Sequence, residues 1–258
     1  MKNINMKTLL LGDIHGRTYW KDIIKKETPD RVIFIGDYFD SFNIPAVSQI
    51  QNFKDIIEFK ESTDIEVVML IGNHDHHYLS DETYSGFQPA AKWDIQDLLT
   101  KNMNHLQVGY SFDDILCSHA GVSPVWMNDM FGWDGWSSDN LVQLINDLYK
   151  YKPRSFNFSH MGYDPYGNHP SQGPMWIRPA ALMKSNKGDN GLKKKFIQVV
   201  GHTQVTNIFD SVTVSEKSMG SRYLLIDALD SGGYVYYLDG KFYPDVIPLV
   251  KKNDKSLF

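Results

Sequence analysis

The sequence holds a single cysteine, Cys117, among 258 residues. An internal disulfide and a thiolate metal cluster are thereby excluded, and a reducing compartment is the natural setting. No apolar run approaches the ~20 residues that a membrane span needs. The leucines at 9–11 give way at once to Gly12-Asp13, too soon for the core of a signal peptide. Neither sign of charge dominates: 26 Lys and Arg stand against 31 Asp and Glu, for a net charge of −5. No broad nucleic-acid or membrane surface is expected from that balance. Internal repeats, low-complexity tracts and linkers are missing too. The expectation is one cytoplasmic domain over residues 1–258, long enough to bury a substantial core.

What is present is a repeated local pattern. Residues 6–11 lead into Gly12-Asp13-Ile14-His15-Gly16, residues 32–35 into Gly36-Asp37-Tyr38-Phe39-Asp40, and residues 67–71 into Gly72-Asn73-His74-Asp75. Short apolar runs of this kind read as buried strands. The glycines let the backbone turn sharply where the acids and imidazoles emerge. Between the strands, residues 19–27 place Trp20, Ile23 and Ile24 on one helical face, and residues 46–60 do the same with Val47, Ile50, Phe53, Ile56 and Ile57. Strand–helix–strand–helix–strand predicts a parallel βαβαβ unit with right-handed crossovers. Ligands of such sheets gather beyond the carboxyl ends of the strands, where these polar residues sit.

Residues 78–89 are polar and read as irregular, and His76 and His77 before them read as polar loop residues. Residues 90–101 suit a helix, and residues 112–117 a strand that delivers Ser118-His119-Ala120-Gly121. The stretch 124–195 changes character: it is rich in Trp and Tyr with Gly/Pro segments, and only 138–149 has clear helical spacing. It reads as an irregular aromatic-rich lid or insert. Its tryptophans suit core and lid packing, and Lys193-Lys194-Lys195 a solvated turn. Residues 196–200 form a strand ending in Gly201-His202, and 205–208, 212–214, 223–226 and 234–238 suggest further short strands. Asp239-Gly240 is a hairpin-turn signal.

Asp13, His15, Asp37, Asn73, His119 and His202 are six oxygen or nitrogen donors, each past a predicted strand and within two residues of a glycine. Any one Gly-Asp or Gly-His is more often a turn or a cap. Five such elements in this order are hard to obtain by accident. Together they suit two divalent metal ions sharing one carboxylate, with Mn²⁺, Fe or Zn²⁺ favoured over Ca²⁺ for a donor set without thiolate.

On Gly12-Asp13-Ile14-His15-Gly16, Gly36-Asp37-Tyr38-Phe39-Asp40, Gly72-Asn73-His74-Asp75, His119-Ala120-Gly121 and Gly201-His202, the chain resembles the calcineurin-like metallophosphoesterases, and within them the phosphoprotein phosphatase branch. The resemblance covers roughly residues 7–240. It implies an α/β fold, a central β-sandwich of two mixed sheets flanked by helices. It also implies that Asp13 and His15 hold one metal, that Asp37 bridges both, and that Asn73, His119 and His202 hold the second. A hydroxide between the metals would attack phosphorus in line, His74 would protonate the leaving oxygen, and Asp40 would orient His74.

Two departures stand out. The family's second motif continues with an arginine that grips phosphate, where this chain has Ser41-Phe42. The chain also carries Gly201-His202-Thr203-Gln204, without the further histidine that many non-PPP members place there. Arg178 looks like the arginine that the branch carries upstream of its last Gly-His, and it is the expected replacement clamp; Arg17 is a second candidate. The resemblance implies a phosphomonoesterase, first of all of the serine/threonine protein phosphatase kind. Dinucleoside polyphosphates such as diadenosine tetraphosphate, nucleic-acid ends, and a degenerate scaffold that only binds a partner stay open, as does the oligomeric state.

Overall fold

The structure is a computed structural model and describes residues 6–80, 82–158, 166–186, 192, 195–208 and 223–249. The expected parallel unit is there. Strand β1 (Thr8–Leu11), helix α1 (Tyr19–Glu27), strand β2 (Arg31–Phe34), helix α2 (Ala46–Ser62) and strand β3 (Glu66–Leu70) follow one another, and β1, β2 and β3 pair in parallel. Helix α3 (Asn73–Leu79), helix α4 (Lys92–Lys101) and strand β4 (Leu106–Gln107) come next, and β4 adds to β3 in parallel. Strands β5 (Gly109–Phe112) and β6 (Ile115–Ser118) make a hairpin where one strand was expected. Then come α5 (Pro124–Phe131), α6 (Leu141–Tyr151), α7 (Pro179–Ser185), β7 (Ile197–Val200), β8 (Tyr223–Leu225), β9 (Gly233–Leu238) and β10 (Lys241–Val246).

The strands form two mixed sheets. One has the order β10-β9-β1-β2-β3-β4, the other β5-β6-β7-β8. Strand residues alternate between faces, and both faces of the first sheet are covered. Leu9, Leu11, Val32, Phe34, Val67 and Met69 pack under Trp20, Ile23, Phe53 and Ile56 of α1 and α2. Leu10, Ile33, Ile35, Val68 and Leu70 face the other way and meet Ile115, Cys117, Val199 and Leu224 of the second sheet. Burial on both faces is why these strands are continuous apolar runs rather than alternating ones. The free thiol of Cys117 is sealed between the sheets, and burial pushes its pKa up. No helix among the described residues is long and apolar enough to cross a membrane.

Several local expectations need correction. His76 and His77 are not loop residues: they lie in α3 and are buried. The helix escaped notice because Asn73-His74-Asp75-His76-His77 has no apolar period, although His77 and Tyr78 are buried against Phe87. Residues 205–208 are not a strand. The chain turns after β7, with the Thr203 amide donating to Gly201 O and the Val205 amide to Asp227 O at 2.8 Å. The expected strand at 212–214 lies outside the described residues, as do Lys193 and Lys194. The 124–195 stretch holds two helices that were not expected, α5 and α7; at α5, Ser123 Oγ accepts from the amides of Val125 and Trp126, and Pro124 opens the helix. β10 contains Pro244, which marks an edge strand.

Candidate metal centre and active-site cleft

The carboxyl ends of β1, β2 and β3 in one sheet and of β6 and β7 in the other converge on one place. Asp13 follows β1, Asp37 follows β2, and Asn73 opens α3 directly after β3. His119 follows β6 and His202 follows β7. Single ligand atoms of Asp13, His15 and Asp37 all lie within 4.8 Å of one another. Asn73 Oδ1 lies 2.9 Å from His119 Nε2 and 2.8 Å from His202 Nδ1. Asp37 Oδ2 stands between the two groups, 3.8 Å from His15 Nε2 and 3.4 Å from His119 Nε2. The structure thus brings all six expected donors together.

The far nitrogen of each imidazole shows which atom points inward. His15 Nδ1 meets Phe39 O at 2.5 Å, His119 Nδ1 meets Ile35 O at 3.1 Å, and His202 Nε2 meets Trp176 O at 3.2 Å. A carbonyl can only accept, so those nitrogens carry the hydrogens and the inner ones present lone pairs. His119 Nε2, His202 Nδ1 and Asn73 Oδ1 are then lone-pair atoms crowded together with no hydrogen between them. A cation is what satisfies such a cluster, and a backbone carbonyl behind each histidine is the usual support of a metal-binding imidazole. The donor set fits two borderline divalent ions that share Asp37.

Glycines make room for this. A Cβ on Gly72 would sit 2.0 Å from Asp37 Oδ1, and one on Gly201 would sit 2.1 Å from Asp13 Oδ1. His15, Asp37, Asp40 and His202 themselves take positive φ of 41°, 52°, 64° and 61°. Strained backbone of that kind persists where the surroundings over-determine it. Here Asp75 supplies much of the determination. Its carboxylate accepts from the amides of Asp37 and Tyr38 at 2.8 Å and of Gly72 at 2.9 Å, stitching the second motif to the third.

The charges are interdependent. Burial opposes ionisation of Asp37, but His119, His74 and His15 outweigh it and hold its carboxyl well below the usual range. Burial, then Asp227 and Asp37, pushes Asp13 up. Burial also lowers His202, reinforced by His119 and Arg178. His74 is the exception. Burial would lower it, yet Asp37 and Asp40 win and raise it to about 9. Its Nδ1 lies 2.8 Å from Asp40 Oδ2. Its amide donates to Asp37 Oδ1 at 2.9 Å, which ties it to the shared carboxylate.

Above the donors opens a cleft of about 640 Å³, walled by Tyr84, Phe158, Trp176, Arg178 and Asp227. Arg178 precedes α7. Its Nη1 donates to His202 O at 2.8 Å and Thr203 Oγ1 at 3.0 Å, and its Nε to Tyr166 O at 3.1 Å. Arg17 is engaged elsewhere, paired with Asp230 and donating to Ile14 O at 3.3 Å. Ser41 Oγ accepts from the amides of Asn43 and Ile44 and so serves its own turn. Asp227 was missed from sequence. Burial, then Asp37, raises it to about 6. The available signal was its place directly after an apolar run, as for Asp13 and Asp37, but without the glycine.

The family model described as "Calcineurin-like phosphoesterase" matches residues 6–206. No curated protein matches the chain significantly. Among solved structures, the chain is similar to a cold-active protein-tyrosine phosphatase of a psychrophilic Shewanella species, at 16% identity and a TM-score of 0.62, covering 93% of this chain and 78% of that one. A second structure of a cold-active protein tyrosine phosphatase gives 16% identity, a TM-score of 0.54 and the same coverage, 93% and 78%. A metallophosphoesterase from Sphaerobacter thermophilus gives 12% identity and a TM-score of 0.48, over 94% and 89% of the two chains. At such identities the likeness to the first two is one of fold.

Proposed function

The chain belongs to the calcineurin-like phosphoesterases, and from that premise we propose that it is a binuclear-metal phosphatase of phosphomonoesters, acting on phosphorylated side chains of proteins. The observation that carries this reading is the His74–Asp40 pair at 2.8 Å, set beside the Asp13, His15 and Asp37 cluster. Asp13, His15 and Asp37 would hold one ion, and Asp37, Asn73, His119 and His202 the other. When bound, such ions supply Lewis-acid charge for the phosphoryl oxygens and make water acidic enough to ionise near neutral pH.

The chain's own residues supply the rest. His74 commits Nδ1 to Asp40, which leaves Nε2 to donate its proton. As the bond from phosphorus to the leaving oxygen breaks, that oxygen keeps the electron pair and takes the proton from Nε2. Arg178 lines the same cleft with a guanidinium fixed on two sides, able to meet phosphoryl charge as it grows. Serine and threonine esters depart as alkoxides, so they need such an acid most.

A second reading concerns the leaving group. Tyr84, Phe158 and Trp176 wall the cleft, with the Tyr84 and Trp176 rings 4.3 Å apart at their centroids. That wall favours an aromatic ester such as phosphotyrosine, the substrate class in the name of the similar Shewanella enzyme. The test is one panel with Mn²⁺-loaded protein: phosphoserine, phosphothreonine and phosphotyrosine peptides, diadenosine tetraphosphate and phosphate-ended oligonucleotides. Turnover of the phosphopeptides, abolished by chelation and restored by Mn²⁺, is expected. Turnover of diadenosine tetraphosphate alone would transfer the site to nucleotides. No turnover of any member with metal bound would leave a partner-binding scaffold.

A further inference from the structure

The second turn of α3 carries two residues with no place in the scheme so far. Tyr78 is fully buried, and its O–H donates to Asp40 Oδ1 at 2.5 Å while its oxygen accepts from the Gln88 amide at 3.0 Å. His77 is also buried, its ring packed against Tyr78 and Phe87 with centroids 4.6 and 5.1 Å away. His77 Nε2 lies 2.6 Å from Asp40 Oδ2, the oxygen that faces His74, on a line too oblique for a straight hydrogen bond. Its Nδ1 has no hydrogen-bond partner among the described residues. A lone pair that close to a carboxylate oxygen would repel it, so Nε2 carries the hydrogen. Gly86 closes the arrangement: at φ 86°, its added Cβ would lie 3.2 Å from Asp40 Cβ and 3.3 Å from His74 Cε1.

A carboxylate that only had to pair with His74 would not need this backing. The terminal torsion of aspartate is broad and roughly two-fold, so Asp40 alone could swing Oδ2 away from Nδ1. Tyr78 holds Oδ1 and His77 sits behind Oδ2. We propose that His77 and Tyr78 are positioning residues for leaving-group protonation: they fix the carboxylate of Asp40, which fixes His74 with Nε2 toward the cleft. Neither lines the cleft above the donors, and neither is one of the six expected metal ligands. The proposal rests on His74 being the acid, as set out above.

The experiment compares the Mn²⁺-loaded full chain with Tyr78→Phe, His77→Leu, His77→Gln and, as reference, His74→Ala. Metals per chain, kcat and KM are measured on a phosphoserine peptide and on p-nitrophenyl phosphate, whose leaving group needs little protonation. Tyr78→Phe and His77→Leu should each lower kcat on the peptide by roughly 10-fold, the usual worth of an outer-shell partner. KM and metal content should hold, and the loss on p-nitrophenyl phosphate should be much smaller. His77→Gln, which can return an N–H to Asp40, should recover part of the loss. An equal loss on both substrates, or a loss of metal, would mean a structural role only. No loss in either variant, with His74→Ala still selective for the peptide, would end this proposal and leave the acid in place. A His74→Ala defect equal on both substrates would remove the acid and this proposal with it. Should His77→Leu fail to fold, Tyr78→Phe decides alone, since it removes one hydroxyl.

Discussion

The ends of the two sheets and the stretch from Ser123 to Ser185 meet across one cleft, yet they are held by different means. At the sheet ends, the backbone does the holding. His15 and His119 rest on carbonyls of Phe39 and Ile35, Asp75 gathers three amides, and glycines clear space for the carboxylates. Across the cleft, aromatic rings carry much of the packing, with side chains also bonded to backbone carbonyls. Trp176 Nε1 donates to Phe156 O at 3.0 Å, Trp126 packs on Phe156 at 5.3 Å, and Tyr84 packs on Trp176. In the first arrangement a shift would break backbone hydrogen bonds or bring a carboxylate against the chain. In the second the contacts are ring on ring and set by shape.

The comparison would break most visibly at Asp37. Asp37→Ala should remove the carboxylate proposed to be shared by the ions and lower kcat/KM by about 10³-fold or more, given that metal polarisation is worth several kcal/mol. Metal analysis of the variant checks the cause. Gly72→Ala should approach the same loss without altering any donor atom, because its Cβ would fall 2.0 Å from Asp37 Oδ1. Wild-type metal content and rate in Gly72→Ala would show that the backbone there can yield.

His74→Ala should keep the metals and lower kcat by roughly 10²–10⁴ on a phosphoserine peptide, the range for a general acid. Its effect on p-nitrophenyl phosphate should be smaller. Arg178 tests the other wall. Arg178→Ala should raise KM and lower kcat, by roughly 10²-fold in kcat/KM if the guanidinium meets transition-state charge. Arg178→Lys should restore less than half of that loss in logarithmic terms, since a point charge lacks the fork. Unchanged kcat/KM on both an aryl phosphate and a phosphopeptide would take Arg178 out of the site.

How much of this was legible in the sequence follows the same division. Asp13, Asp37, Asn73, His119 and His202 stand directly after strands, and their flanking glycines answer steric demands that any sequence must meet. β1, β2 and β3 were legible because burial on both faces makes them uniformly apolar. Asp227 was hidden because no glycine marks it, and His76 and His77 because the helix that holds them has no apolar period in sequence. α7 is short and was not expected; it opens on Pro179 directly after Arg178, and that proline was the one available signal. The packing of one sheet on the other depends on contacts far apart in the chain, and the family resemblance, not the local pattern, anticipated it.

The joint between the two regions offers the smallest and most specific test. His76 Nε2 donates to Asn157 Oδ1 at 2.9 Å, because that oxygen can only accept. Its Nδ1 must then accept from Tyr149 O–H, at 3.0 Å. Both nitrogens are used by the neutral ring, which ties α3 to α6 and to the turn beyond it. Burial, only partly offset by Asn157, lowers its pKa to about 4, against an ordinary value of 6.5. A folded-state pKa below the unfolded one means that the unfolded chain binds more protons between those values. The stability contributed by His76 is therefore complete above pH 6.5 and is lost as the pH falls towards 4. A difference of that size corresponds to roughly 3 kcal/mol. His15 and His202 are lowered as well, so acid destabilises the wild type through several groups at once. The difference between variants isolates one of them. His76→Gln removes the titration, so its melting temperature should be lower than the wild type's at pH 7 and should fall less steeply between pH 6.5 and 4. Parallel melting curves for the two proteins across that window would show that this histidine is not what holds the joint.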